Sequence, residues 1–334
     1  MEEGPEGFAW TKALTMYFFK RILMMVPLLL LISLAAFLLV RIAPGGPFDK
    51  ERKATPEIER NIRAKYHLDD PLWKQYLRYL GLVWERKADG GIGRVEGGLI
   101  VGDFGPSLKY RNHSVTDIIV QGLPASLILG VASFCVALGV GIPTGFFTAV
   151  RKGGLEEYAG SFLAILAVCV PALVVGPVLI MMFAIKWRWF PVALWESPWH
   201  AVLPTLTLGI YFSGRIARLM REGMLTTLHA EFITTARAKG LSETQVLLKH
   251  AFRLAVLPVV SYSGPLLADL LTGSFVVENL FQIPGIGVFM VNSSLSRDYT
   301  MVVGLVLLYA VLLLTLNLFV DFAYTWLDRR VKYE

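Results

Sequence analysis

The side chains in this sequence with most capacity for chemistry are carboxylates, not nucleophiles. Asp269 stands inside the apolar run 254–277, and Glu278 follows at its end. A carboxylate at the centre of a membrane-spanning helix costs ~2.5–3.5 kcal/mol on insertion scales. Asp269 is therefore expected either to pair with another span or to face a wet cavity where something passes. Glu278 and the Arg297-Asp298 pair read as structural, lining a gate at most, and Asp321 as an interfacial pairing group. Other chemistries fail on spacing. His67, His113, His200, His229 and His250 make no H-x-x-x-H or H-E-x-x-H group, and Cys135 and Cys169 make no C-x-x-C. No metal site and no nucleophile–base pair is expected, and both cysteines should be buried apolar residues. No Gly-Lys dipeptide occurs, which rules out a P-loop, and GGIGRVEGG (90–98) misses the G-x-G-x-x-G spacing. The chain is not expected to be an enzyme or to carry a cofactor.

A second feature offers a surface. In 231–258, EFITTARAKGLSETQVLLKHAFRLAVLP, Ala230 to Lys239 predicts a helix with Phe232, Ile233 and Ala236 on one face. Glu231 lies near its positive end and Lys239 near its negative end. Gly240 closes that helix in the left-handed conformation. Ser242 with Gln245 predicts a capping box for a second helix, with Leu241 and Val246 as its staple. Leu247, Leu248, Ala251, Phe252 and Leu254 give it an apolar stripe. Ala236 and Ala238 are small enough for close approach, so the pair reads as a docking surface.

These features must be positioned by membrane spans. The 334-residue chain is 55% hydrophobic with mean hydropathy +0.56, too apolar for an ordinary soluble domain. Six stretches approach the ~20 apolar residues a span needs: 22–40, 118–150, 158–185 (interrupted by Pro171 and Pro177), 197–214, 254–277 and 299–320. The first is longer than a signal-peptide core and lacks an Ala-x-Ala site, so it is expected to be retained. Basic residues cluster at 12–21, at 151–152, at 215–253 and in the tail at 329–332. In a six-span arrangement all four fall on one side, which predicts cytoplasmic termini; Lys186 and Arg188 fall on the other. The +6 net charge thus reports topology, and a nucleic-acid partner is not expected. The expected organisation is an N-terminus over 1–21, a first span over 22–40 and an external segment over 41–117. A five-span domain over 118–328, with a cytoplasmic loop at 223–253, and a tail over 329–334 complete it. Within the external segment, 57–66 predicts one helix and Asp70-Pro71 caps another carrying Leu72, Tyr76, Leu80 and Val83, while the Gly-rich 88–105 predicts loop.

The 231–258 stretch resembles the cytoplasmic coupling loop of permease subunits of ATP-binding-cassette importers. Thr234, Thr235 and Ala236 stand where that family has Glu-Ala-Ala, Gly240 where it has glycine, and Leu257-Pro258 at its Leu-Pro. The T-A-R-A-K-G-L run is that of the peptide-importer branch. RIAPGGPF (41–48), AKYHLDDPLWKQY (64–76), GDFGPSLKYR (102–111), TGSFVVENLFQIPGIG (272–287) and NLFVDFAYTWLDRRVKY (317–333) resemble the first of that branch's two permease subunits. The chain departs from the pattern at 84–101, which reads as an insertion. The resemblance implies an all-α polytopic permease of six transmembrane helices in the inner membrane. It also implies a second homologous permease subunit, two ATPase subunits that bind ATP and magnesium, an external peptide-binding protein and a peptide substrate. Coupling would then fall to Glu231, Thr234, Thr235, Ala236, Arg237, Ala238, Gly240 and Ser242. Asp269 and Glu278 are the candidates for the substrate pathway. An ion-driven secondary transporter is the competing class, and would need inverted repeats or discontinuous binding helices; a non-transporting scaffold is a third.

Overall fold

A computed structural model describes residues 5–42, 69–86, 92–94, 98–107, 109–110 and 113–327. Helix α1 (Pro5–Ile42) carries its apolar window at Phe18–Leu39. Helix α2 (Leu72–Leu80) returns against it. The Tyr76 hydroxyl lies 2.7 Å from the hydroxyl of the buried Ser33 and 3.1 Å from the Leu30 carbonyl, and the Phe37 and Tyr76 rings stand 5.4 Å apart. Asp70 does not cap α2 as expected. Pro71 holds the N-cap without a side-chain bond, and Asp70 instead pairs with Lys74 at 3.3 Å and Arg78 at 3.4 Å. The expected all-α fold also carries one small hairpin, β1 (Trp84–Arg86) antiparallel to β2 (Ile92–Arg94), inside the stretch read as insertion and loop. Three-residue strands are too short for a period-two pattern to show in sequence. The expected helix over 57–66 and the basic tail lie outside the described residues.

Helix α3 (Val115–Val150) opens on a capping box. Ser114 accepts from the Asp117 amide at 3.0 Å, and Asp117 accepts from the Ser114 amide at 3.1 Å. A basic turn leads to α4 (Leu155–Cys169) and α5 (Ala172–Leu179), which continues as a π-helical turn over Ile180–Lys186. The two limbs bend by 104°. Pro171 disfavours the helical region for the residue before it, and Val170 is extended, with φ −86° and ψ 116°. Helix α6 (Val202–Leu228) runs well past Gly214, where the apolar run stops. Arg215, Arg218 and Arg221 therefore sit within a helix and not in a loop. Beyond it come α7 (Glu231–Ala238), α8 (Glu243–Gln245), a π-helical turn over Val246–Ala251, α9 (Phe252–Ala255), α10 (Leu257–Leu271), α11 (Phe275–Leu280), α12 (Ile286–Ser296) and α13 (Tyr299–Leu327).

Among the described residues four helices are long and apolar enough to cross a membrane, or five if the bent pair is one span. The expected fourth span, 197–214, falls mostly in α6, which is about 40 Å long at 1.5 Å per residue but is not among them. The reason is packing. Its buried face is built from Thr205, Thr207, Gly209, Ser213, Gly214 and Gly223 among apolar neighbours, so it meets protein and needs less hydropathy than a lipid-facing helix. Lipid tails are as apolar as leucine, so close approach decides helix association here. A Cβ at Gly141 would sit 2.7 Å from the Ser213 carbonyl oxygen, and one at Gly145 would fall on the Ala217 carbonyl. Cys135 and Cys169, expected to be buried, are exposed on the outer faces of their helices.

The ends are tied by polar contacts. Arg21 pairs with Asp321, Arg221 with Glu157, and Arg253 Nε donates to the Leu327 carbonyl at 2.6 Å. These contacts bring the α1 flank, the α3–α4 turn, the α7–α9 segment and the end of α13 to one end of the bundle. At the other end the buried Asp298 accepts from Ser107 Oγ at 2.5 Å and from the Met301 amide at 3.3 Å, fastening the 98–110 loop to the start of α13.

Candidate functional site

The loop beyond α6 is built by one helix stop and one ion pair. Gly240 has φ +76° with nothing within 4 Å of where a Cβ would stand, so conformation, not crowding, selects glycine there. Its amide donates to Arg237 at 2.9 Å and the Leu241 amide to Ala236 at 3.4 Å, the two bonds of a Schellman stop. The expected capping box is absent: Ser242 is the N-cap of α8 but makes no side-chain bond. Arg237 closes the break instead, donating to Glu243 at 3.1 Å (Nε) and 2.7 Å (Nη2). Those hydrogen bonds hold the Glu243 carboxyl below its usual range and the Arg237 guanidinium above its own. Leu241 is exposed and Val246 fully buried, so the expected staple does not form the way the spacing suggests. Val246 and Ala251 are buried five residues apart, the π-helical repeat of that turn.

Of the residues expected to couple, Glu231, Thr234, Thr235, Arg237, Ala238, Gly240 and Ser242 are exposed, whereas Ala236 is buried within this chain. Ile233, Ala236, Val246, Ala251 and Ala255 form the inner layer on which the exposed face rests. A larger residue at position 236 therefore strikes this chain's own packing first.

Asp269 lies elsewhere. It is exposed on α10, accepts from the Tyr309 hydroxyl at 2.9 Å and lines a cleft of about 610 Å³. That cleft opens where two helices are interrupted, with Pro171 and Ala172 at one break and Thr272, Gly273 and Ser274 at the other. Non-helical backbone at membrane depth is tolerated where it lines a cavity. Glu278 is fully buried. Ser126 Oγ donates to its Oε1 at 2.8 Å and accepts from the Ile286 amide at 2.9 Å. A Cβ at Gly273 or Gly285 would fall on its carboxylate, and one at Gly287 would stand 2.9 Å from Oε2. The carboxylate thus joins α3, the α10–α11 break and the start of α12. Ser126, Tyr309 and Glu243 were missed because each meets its partner across a break or from another helix, where no spacing rule operates. Among the described residues no three His, Cys, Asp or Glu side chains are grouped to hold a metal ion.

The family profile described as binding-protein-dependent transport system inner membrane component matches residues 141–333, and its N-terminal companion matches residues 14–130. The chain belongs to that inner-membrane transport family. The N-terminal match runs from α1 into the first half of α3, and the second match from the end of α3 through α13. The oligopeptide transport system permease protein OppB of Haemophilus influenzae is 40% identical over 95% of this chain and 99% of its own. The dipeptide transport system permease protein DppB of Bacillus subtilis is 39% identical over 95% and 97%. The OppB of Escherichia coli K12 is 38% identical over 95% and 99%. An inward-facing structure of the MetNI methionine ABC transporter shares the fold, with a TM-score of 0.52 at 18% identity over 64% of this chain and 97% of that one. The family member described here is thus a multi-pass inner-membrane component of a binding-protein-dependent transport system.

Proposed function

We propose that this chain is the pore-forming half of an ATP-driven peptide importer. The observation that carries the reading is similarity along nearly the whole chain to permeases named for oligopeptide and dipeptide transport. A second, homologous permease subunit completes the pathway. Of two ATPase subunits, one docks on the exposed face of α7 and α8, through Glu231, Thr234, Thr235, Arg237, Ala238, Gly240 and Ser242, with Ala236 supporting that face from beneath. An external binding protein delivers peptide to the 41–117 segment. Helix α6 is the fourth of six spans, and both termini are cytoplasmic, which suits basic residues gathered at the bundle end that holds Arg21, Arg151, Arg221 and Arg253. Permease spans occupy 118–328 and the tail 329–334. Asp269 faces the pathway, while Glu278 shapes it from within the wall.

Interrupted helices also occur in secondary transporters, so the breaks at Pro171 and Gly273 do not separate the classes; dependence on ATPase subunits does. The test is co-purification with two P-loop ATPases, followed by ATP-dependent peptide uptake in proteoliposomes. Uptake that persists without ATPases and follows an ion gradient would remove the reading. A cysteine placed at position 95 and labelled only from the cytoplasmic side would remove the topology.

A further inference from the structure

Helix α6 carries a cation at its middle that composition alone placed in a loop. Arg215 is exposed, thirteen residues from either end of α6, and its guanidinium stands 4.9 Å from the Tyr262 ring centroid. Tyr262 and Asp269 lie seven residues apart on α10, two turns on one face and about 10 Å along the axis. Tyr211, one turn before Arg215 on α6, lines the same cleft as Asp269 and Tyr309. Among the described residues no carboxylate pairs with Arg215 and no basic side chain with Asp269. An uncompensated charge of each sign at membrane depth needs a purpose.

We propose that Asp269 and Arg215 form a two-ended site for the backbone termini of a short peptide in transit. Asp269, steadied by Tyr309, takes the terminal ammonium, and Arg215, steadied on Tyr262, takes the terminal carboxylate. The inference rests on the peptide reading above and adds what within this chain meets the substrate. The chemistry fits at both ends. Tyr309 occupies one carboxylate oxygen of Asp269, and the other can accept from an ammonium. A guanidinium stacked on an aromatic face keeps its in-plane donors for a bidentate bond to a carboxylate. The scale is that of a short peptide: an extended chain advances ~3.3–3.6 Å per residue, against an offset of about 10 Å along α10 between Tyr262 and Asp269. The cleft at the Asp269 end, about 610 Å³, is in the ~300–1,000 Å³ range of small-molecule sites, and Arg215 and Tyr262 stand beyond its lining, one turn on from Tyr211. Side chains of the peptide meet Tyr211, Phe212 and Met290, which offer surface without a specific polar demand, as a site serving many sequences requires.

Equilibrium binding to the purified permease–ATPase complex, without the delivery protein, reads the site through three ligands: a free tripeptide, its amino-acetylated form and its carboxy-amidated form. Asp269→Asn is expected to weaken the free tripeptide about tenfold and to leave the acetylated form unchanged. Arg215→Gln is expected to do the same for the free and amidated forms. Such non-additivity marks a direct contact, and a structural role would weaken all three ligands alike. Asp269→Glu and Arg215→Lys keep the charges and serve if the first variants do not assemble. Equal losses for all ligands, no losses, or failure of all four variants to assemble would overturn the site and assign the charges to contact with the partner permease. If the wild-type complex binds no tripeptide yet imports it with ATP, the site is wrong and the peptide reading stands. If it imports none, the peptide reading itself has failed.

Discussion

Asp269 and Glu278 stand nine residues apart along one interrupted span, and the protein treats them in opposite ways. Around Glu278 every neighbour is small or committed: Ser126 donates to it, and three glycines leave no room for a Cβ. Around Asp269 the wall opens, with one tyrosine in contact and a cleft beyond. A carboxylate at membrane depth is either enclosed against a donor or given access to a wet cavity, and one stretch of chain uses both. The contrast separates two kinds of polar residue that hydropathy cannot tell apart. One holds the break in shape, and the other uses the space which the break creates.

The largest effect is expected where the sealed site is overfilled. Gly273→Val forces a left-handed backbone, ~1–2 kcal/mol, and drives methyl groups into Glu278, another ~1–3 kcal/mol. Thermal unfolding of the detergent-solubilised protein should show it, and wild-type stability would deny the cage. Next comes Glu278→Ala, which leaves the Ser126 hydroxyl without its acceptor at a cost of about 1–3 kcal/mol. Asp269→Asn should stay within ~0.5 kcal/mol of wild type in the same assay. Similar losses for the two would erase the contrast. Gly240→Val should cost ~1–2 kcal/mol at the α7 stop, expressed as lowered peptide-stimulated ATPase activity in the reconstituted complex while the spans remain inserted. Unchanged coupling would show that the left-handed stop is dispensable.

The smallest effect tests the Arg237–Glu243 pair, which is exposed and so worth under ~1 kcal/mol. The pair lowers the folded carboxyl below its ordinary value of 4.5. Its stabilisation is therefore complete above that value and fades as pH falls through the folded value. Hydrogen exchange across residues 237–246 should quicken in acid for the wild type and already be quick at neutral pH for Glu243→Gln. A flat pH response in the wild type would exclude the pair as the clasp.

Much of this was legible in the residues. Uncharged runs located α1, α3 and α13, because burial in lipid demands unbroken apolarity. Gly240 announced its own conformation, and Phe232, Ile233 and Ala236 announced the inner face of α7. What stayed hidden depended on neighbours distant in sequence. The end of α6 was misjudged because Arg215 looks like the edge of a span when it is read without the helices around it. The clasp was assigned to Ser242 because capping rules are local, whereas the Arg237–Glu243 bond crosses a break. The hairpin at 84–94 is too short to leave a pattern. The cage around Glu278 is made of glycines whose meaning lies only in what they stand beside.

The near-contact of α3 and α6 has one more consequence. At Gly141 and Gly145 the α3 backbone lies directly on the α6 carbonyls of Ser213 and Ala217 and on the β-carbons of Ile216 and Met220, which leaves little able to yield when one helix is pushed. Helix α6 also ends only two residues before Glu231 opens α7. A load applied at α7 is thus received by a braced spar about 40 Å long, with α3 as its stiffener. Such a member turns a small displacement at its foot into a swing at its head.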